Sequence, residues 1–145
     1  MLSYLGMKGI LLIVAVLVSQ SLYPQNFDLT VSVTDFRSNK GELQIGLYNN
    51  KESFPLVDKQ YKFTIIEVNT FQGSYIIKNL PEGEYAVAIL HDENSDKICN
   101  KNLLGIPKEG YGFSRNFRPK LSSPKFEDCK FELKDNLAIS IKLIY

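Results

Sequence analysis

The fold turns on "LPEGEYAVAILH", residues Leu80–His91. Pro81 pre-sets φ for a turn, and Gly83 supplies a residue free to turn left-handed. Behind them Tyr85, Val87 and Ile89 share one face of an alternating run, while Ala86, Ala88 and Leu90 share the other. Apolar on both faces, the run reads as a central strand. Outward from it, "FDLTVSVT" sets Phe27, Leu29, Val31 and Val33 on one face. "ELQIGLY" does the same with Leu43, Ile45 and Leu47, after a turn at Ser38–Gly41. "YKFTIIEV" and "GSYIIKN" read as two further strands, as do "KFEDCKFEL" and "LAISIKLIY" near the C-terminus, the last with Leu137, Ile139, Ile141 and Leu143 on one face. Residues 49–60, "NNKESFPLVDKQ", read as a polar connection.

About seven short strands with turn signals between them, and no helical pattern of useful length, predict an all-β fold. The expected architecture is a two-layer antiparallel β-sandwich, immunoglobulin-like or transthyretin-like in layout, with a small barrel as the alternative. With 145 residues, the chain supports one domain and one core, placed at 26–145. Charged residues are 23%, hydrophobic ones 44% and the formal net charge is +1, ordinary values for a globular protein. Without basic tracts or aromatic–basic interleaving, nucleic acid is not an expected partner.

Lys8 followed by an apolar run from Gly9 to Val18 and small residues at Ser19 and Ser21 predicts a signal peptide over residues 1–21, cleaved after Ser21 or as late as Gln25. The run is far short of the roughly 20 residues that span a bilayer, so no membrane span is expected after cleavage. The product would be periplasmic or extracellular, and a monomer. In an oxidising compartment Cys99 and Cys129 are candidates for one disulfide, with two unpaired thiols as the alternative.

From Asp92 to Pro124 strand periodicity stops, for longer than the roughly 12–15 residues beyond which loops are usually functional or disordered. Leu103, Leu104, Ile106, Tyr111, Phe113 and Phe117 offer apolar anchors, so an ordered loop packed over the sandwich is expected at 92–124. "HDENSDKICNKNLLGIPKEGYGFS", preceded by "LPEGEYAVAIL" and followed by "FED", resembles an exported bacterial family known only as domain-of-unknown-function family 2141. Its members typically carry glycines where this chain has Ser95 and Lys97, and aspartate where it has Cys99. The resemblance implies an exported β-sandwich and no particular reaction.

Three chemistries compete in this segment. Asp92, Asn94 and Asp96 stand at positions one, three and five of a candidate calcium loop, although Lys97 and Leu103 occupy its usual glycine and acid positions. The alternative is a turn in which these side chains bond their own backbone. His91, the single histidine, is the base that a hydrolase would need, with Ser114 as its nucleophile, yet no nucleophile elbow accompanies them. One histidine and two distant cysteines do not make a zinc site. Finally, Lys108, Arg115, Arg118, Lys120 and Lys125 surround Tyr111, Phe113 and Phe117, a composition suited to an aromatic floor with cationic rims. The expectation is therefore an exported, non-catalytic binding or interaction module acting through residues 91–120. His91, Tyr111, Phe113, Arg115 and Lys108 are its candidate ligand residues, and a glycan, a peptide or an envelope protein its partner. Pairing through an edge strand is the alternative. No cofactor is expected beyond the candidate calcium.

Overall fold

A computed structural model describes residues 25–103, 107–120 and 122–145. The expected signal peptide, together with Leu104 and Ile106, lies outside the described residues. The described strands are β1 (Asn26–Thr34), β2 (Glu42–Tyr48), β3 (Lys62–Glu67), β4 (Ser74–Pro81), β5 (Gly83–Asp92), β6 (Gly110–Phe113), β7 (Phe131–Leu133) and β8 (Leu137–Lys142). They form two sheets, one ordered β4-β1-β8, the other β3-β2-β5-β6 with β7 also on β5. Between the sheets Leu29, Val31, Val33, Ile77 and Ile141 meet Leu43, Ile45, Leu47, Tyr85, Val87 and Ile89 in one buried cluster. These are the faces that the alternation assigned, because residues two apart on a strand share a side. The all-β sandwich stands.

Three details differ from the expectation. First, β1 and β8 run parallel, pairing Leu29 with Leu137, Val31 with Ile139 and Val33 with Ile141. No turn joins these two strands, so nothing local fixes their relative direction. Second, the 92–124 segment contains a strand, β6, in "GYGF". Two glycines in four residues leave no apolar alternation to detect. A Cβ on Gly110 would lie 2.5 Å from the Tyr145 ring, and one on Gly112 would lie 2.7 Å from Ile141 Cγ2. The glycines therefore face inward against the end of β8, and Tyr111 and Phe113 face outward. Third, the expected sixth strand is split. Phe126–Cys129 form one helical turn, α1, and only Phe131–Leu133 pair with β5. The Lys125 N–H donates to Asp128 Oδ2 at 3.0 Å, which caps the turn.

Beyond β8 the chain adds a bridge to β6. Tyr111 N–H donates to the Ile144 carbonyl at 2.9 Å, and Ile144 N–H returns a bond to Tyr111 O at 2.8 Å. One side of the sandwich is thereby stitched together, partway toward a barrel. On the other side β3 and β4 remain edge strands.

β5 is apolar on both faces, and both are covered. Its outer face lies under Phe54, Phe113, Phe117 and α1: Tyr48, Phe54, Ala86, Phe126 and Cys129 form a second buried cluster, with Ala88, Phe113 and Phe117 packed against it. Leu103 departs from the expected role of anchor, because it sits fully exposed on a turn. Substituting Gly112→Ala is expected to lower stability by about 1–3 kcal/mol through overpacking, read as a shift of the urea midpoint.

Candidate functional site

The sequence candidates part company in the structure. His91 is fully buried. Its Nε2 is 2.8 Å from the Lys40 carbonyl, which can only accept, so Nε2 carries the proton. Nδ1 then accepts the Tyr145 hydroxyl at 2.8 Å. That hydroxyl also accepts the Arg37 N–H at 3.1 Å, and the Arg37 guanidinium lies 4.4 Å over the Tyr145 ring while bonding Glu93. Both ring nitrogens serve this clasp, on the inner side of the sheet, away from Tyr111 and Phe113.

Ser114 is buried elsewhere. β6 and β7 pair end to end along one edge of β5, with Ala86 and Val87 between them. The Ser114 hydroxyl fills the break, accepting Val87 N–H at 2.9 Å and donating to Cys129 O at 2.6 Å. It does the work of a missing backbone pair. Its neighbour Asn116 acts likewise on β8, accepting Lys142 N–H at 2.8 Å and donating to Ser140 O at 3.1 Å. Between them Arg115 is held exposed at φ 61°. The structure thus does not bring His91 and Ser114 together.

The candidate calcium residues take the arrangement of the alternative, a turn bonded to its own backbone. Asp92, fully buried, accepts the Lys97 N–H at 2.6 Å, the Asp96 N–H at 3.3 Å and the Gln44 amide at 3.2 Å. Asn94 Oδ1 accepts Asp96 N–H, and Asp96 accepts Ile98 N–H and the Asn94 and Asn100 amides. These oxygens are turned onto the loop's own donors. Among the described residues no group of three acidic, histidine or cysteine side chains is placed to hold a metal. Ser95 and Lys97 stand at φ 58° and 64°, left-handed conformations at the two positions where the resembled pattern has glycine. The amides of Asn100 and Asn94 and the Ile98 N–H hold the Asp96 carboxyl below its ordinary range. Burial pushes that of Glu109 up, and the charges of Asp92 and Asp96 push it the same way.

The disulfide is likewise corrected: both cysteines are free. Cys129 lies at the level of Val87 through the Ser114 hydroxyl. Asn100, next to Cys99, bonds Lys108 and Glu109, beyond the Gly110–His91 pair. Burial pushes the Cys129 thiol up to about 12, and Asp128 adds to the rise.

What the fold does assemble is a groove of about 650 Å³ on the covered outer face, lined by Lys51, Lys101, Lys125 and Glu127 around Phe54, Pro55, Leu56, Val57 and Phe126. Its floor is fixed by edge-to-face rings: Phe54 sits 5.1 Å from Tyr48, 6.1 Å from Phe113 and 6.0 Å from Phe126. Tyr111 and Phe113, half-buried and 6.0 Å apart, continue this aromatic layer beside the groove. Lys108 and Arg115 are exposed at opposite ends of β6 and do not line it. The sequence candidates missed Lys51, Phe54 and Lys101. The available signal was Phe54, Leu56 and Val57, apolar side chains in an otherwise polar connection. A second recess, of about 480 Å³, lies between Phe36, Phe71 and Gly73, but its cation, Arg37, is already bound to Glu93.

A family model described as an uncharacterized protein conserved in bacteria (DUF2141) matches residues 31–140. No curated protein and no solved structure matches.

Two outcomes follow from the acidic loop. Lys97→Gly is expected to raise stability by up to about 1 kcal/mol by relieving the left-handed conformation, seen as a higher thermal midpoint. A carboxyl whose pKa is raised on folding favours the fold fully below its unfolded value, near 4.3, and loses that contribution as pH rises through the folded value. Glu109→Gln is therefore expected to be more stable than the parent at pH 7, with the advantage vanishing near pH 4 in urea titrations.

Proposed function

Because the chain belongs to that bacterial family, whose description assigns no activity, we propose a function from its own geometry: an exported, non-catalytic binding module. Its site is the lysine-rimmed groove, and its ligand carries negative charge beside an apolar portion. The observation that carries this reading is the convergence of Lys51, Lys101 and Lys125, from three separate chain segments, around walls of Pro55, Leu56 and Val57. Cations on a largely apolar concavity give orientation through charge and affinity through burial. The floor rings are held by one another. From the 91–120 segment, Phe113 packs on Phe54 of the floor and Lys101 lines the groove directly. Export rests on the leader-like residues 1–21 alone.

A second reading, pairing through an edge strand, is favoured by one observation. On β3, an edge of the five-stranded sheet, Phe63 and Ile65 are exposed. It predicts self-association, whereas the groove reading predicts a monomer that retains its ligand.

The test is a panel of anionic glycans and acidic peptides, with sedimentation of the free protein across concentrations. Retained ligands are expected to be anionic, and Lys51→Glu, Lys101→Glu and Lys125→Glu combined are expected to weaken them at least about tenfold. Equal retention by the parent and the triple variant would remove the groove as the site. A concentration-dependent dimer lost in Phe63→Lys would favour the edge instead.

A further inference from the structure

We infer that two copies of this chain join through the open side of the sandwich, β3 pairing with β3 and β4 with β4 about one two-fold axis. The inference rests on the edge-strand reading; it names the partner and adds the second strand.

The two sides of the sandwich are finished differently. On the closed side Asn116 bonds the edge of β8, Ser114 fills the break between β6 and β7, and Tyr111 bridges to Ile144. On the open side the ladders fix which backbone groups point outward. Val68 N–H donates to Gly41 O at 3.0 Å, in register with the Glu42–Glu67 pair. Bonded pairs alternate along an antiparallel ladder, so Lys62, Thr64 and Ile66 bond β2. The N–H and C=O of Phe63 and Ile65 therefore point away from it. Val33 N–H likewise donates to Gly73 O at 3.2 Å, in register with Thr30–Ile76, which turns the groups of Ser74 and Ile76 outward from β4. Lys62 Nζ donates to the Lys78 carbonyl at 2.8 Å and laces the two edges, but this bond uses none of those groups. Three of these residues also hold apolar side chains in water: Phe63 is 50% exposed, Ile65 39% and Ile76 47%. An edge of this kind is a template for another strand.

Both edges fit a single symmetry, and this commits the partner to a second copy. β3 and β4 are joined by residues 68–73 at one end and laced by Lys62 and Lys78 near the other, so they run antiparallel across the open side. Thr64 and Ile76 are therefore about level. A two-fold axis through both, perpendicular to the sheets, reverses each strand and keeps its faces on their own sides. Phe63 of one copy then pairs with Ile65 of the other, and Ile76 with Ile76, all through outward backbone groups. Aromatic and β-branched side chains are favoured partners across strands. Charge agrees with this pairing. β3 carries Lys62 at its start and Glu67 at its end, so reversal brings Lys62 of one copy next to Glu67 of the other. On β4, Lys78 comes beside uncharged Ser74. In the turn before β3, Asp58 and Lys59 offset each other. Each sheet continues into its counterpart, and the assembly closes at two copies. None of these strands lines the lysine-rimmed groove.

The experiment sediments the chain from Gln25 onward, which carries both apolar clusters entire, across concentrations. A dimer and no larger species is expected. Ile65→Lys and Ile76→Lys are each expected to weaken it about tenfold or more, with the circular dichroism spectrum of the parent. In a Cys99→Ser background, Thr64→Cys is expected to form a covalent dimer under mild oxidant, because opposed non-bonded residues lie about 4.5 Å apart at Cα. Glu67→Cys, far from the axis, is expected to form none. A monomer at every concentration overturns the inference together with the edge-strand reading and leaves the groove reading intact. A dimer lost in Ile65→Lys but unchanged in Ile76→Lys overturns the inference and leaves pairing through β3 alone. Growth beyond two copies, or a dimer indifferent to both lysine variants, overturns it as well.

Discussion

Burial of β5 on both faces is the constraint on which the rest of this structure depends. A strand with Tyr85, Val87 and Ile89 on one side and Ala86, Ala88 and Leu90 on the other cannot sit in a sheet with one face in water. The first sheet covers the inner side. Among the described residues there is no third sheet for the outer side, so it is covered by what the chain has left: the 49–60 connection, β6 with its two outward rings, and α1. Irregular segments pressed against a sheet leave unevenness between them, and the lysine-rimmed groove is that unevenness. Small Ala86 and Ala88 let Phe54 and Phe113 come down onto the strand.

A covering layer made of loops brings polar backbone into dry surroundings, and each group there needs a partner. The side chains that resemble catalytic or metal-binding equipment meet that need. Ser114 completes the broken edge of β5, and Asn116 serves an edge of β8. Asp92 gathers the donors of the turn behind it. His91 links the β1–β2 turn to Tyr145. Their residue types are those of active sites because active sites and buried loop ends ask for the same thing, a compact donor or acceptor held in place. The left-handed Ser95 and Lys97 show the strain that such a turn imposes when glycine is not used.

The groove draws on a different property. Its lysines are exposed and its aliphatic walls unpacked, so it contributes little to holding the domain together, while the rings beneath it do. Separating a rigid aromatic floor from a solvated cationic rim lets the surface vary without disturbing the core.

The strands with regular alternation were legible in the sequence by itself: β1, β2, β5 and β8 carry the core faces that their spacing assigns, since side-chain direction on a strand follows from period two alone. Membership in the matched bacterial family was legible too, in the long motif after β5. β6 was not, because Gly110 and Gly112 are inward-facing positions without side chains, required by a close approach of β8 that no local pattern announces. Neither was the parallel pairing of β1 with β8, nor whether Cys99 and Cys129 pair. Whether His91, Ser114 and Asp92 were reagents or struts was likewise open, since that depends on which donors and acceptors the fold sets around them. The groove joins residues near 51, 101 and 125, and only the packing of three loops over one doubly apolar strand decides that they meet.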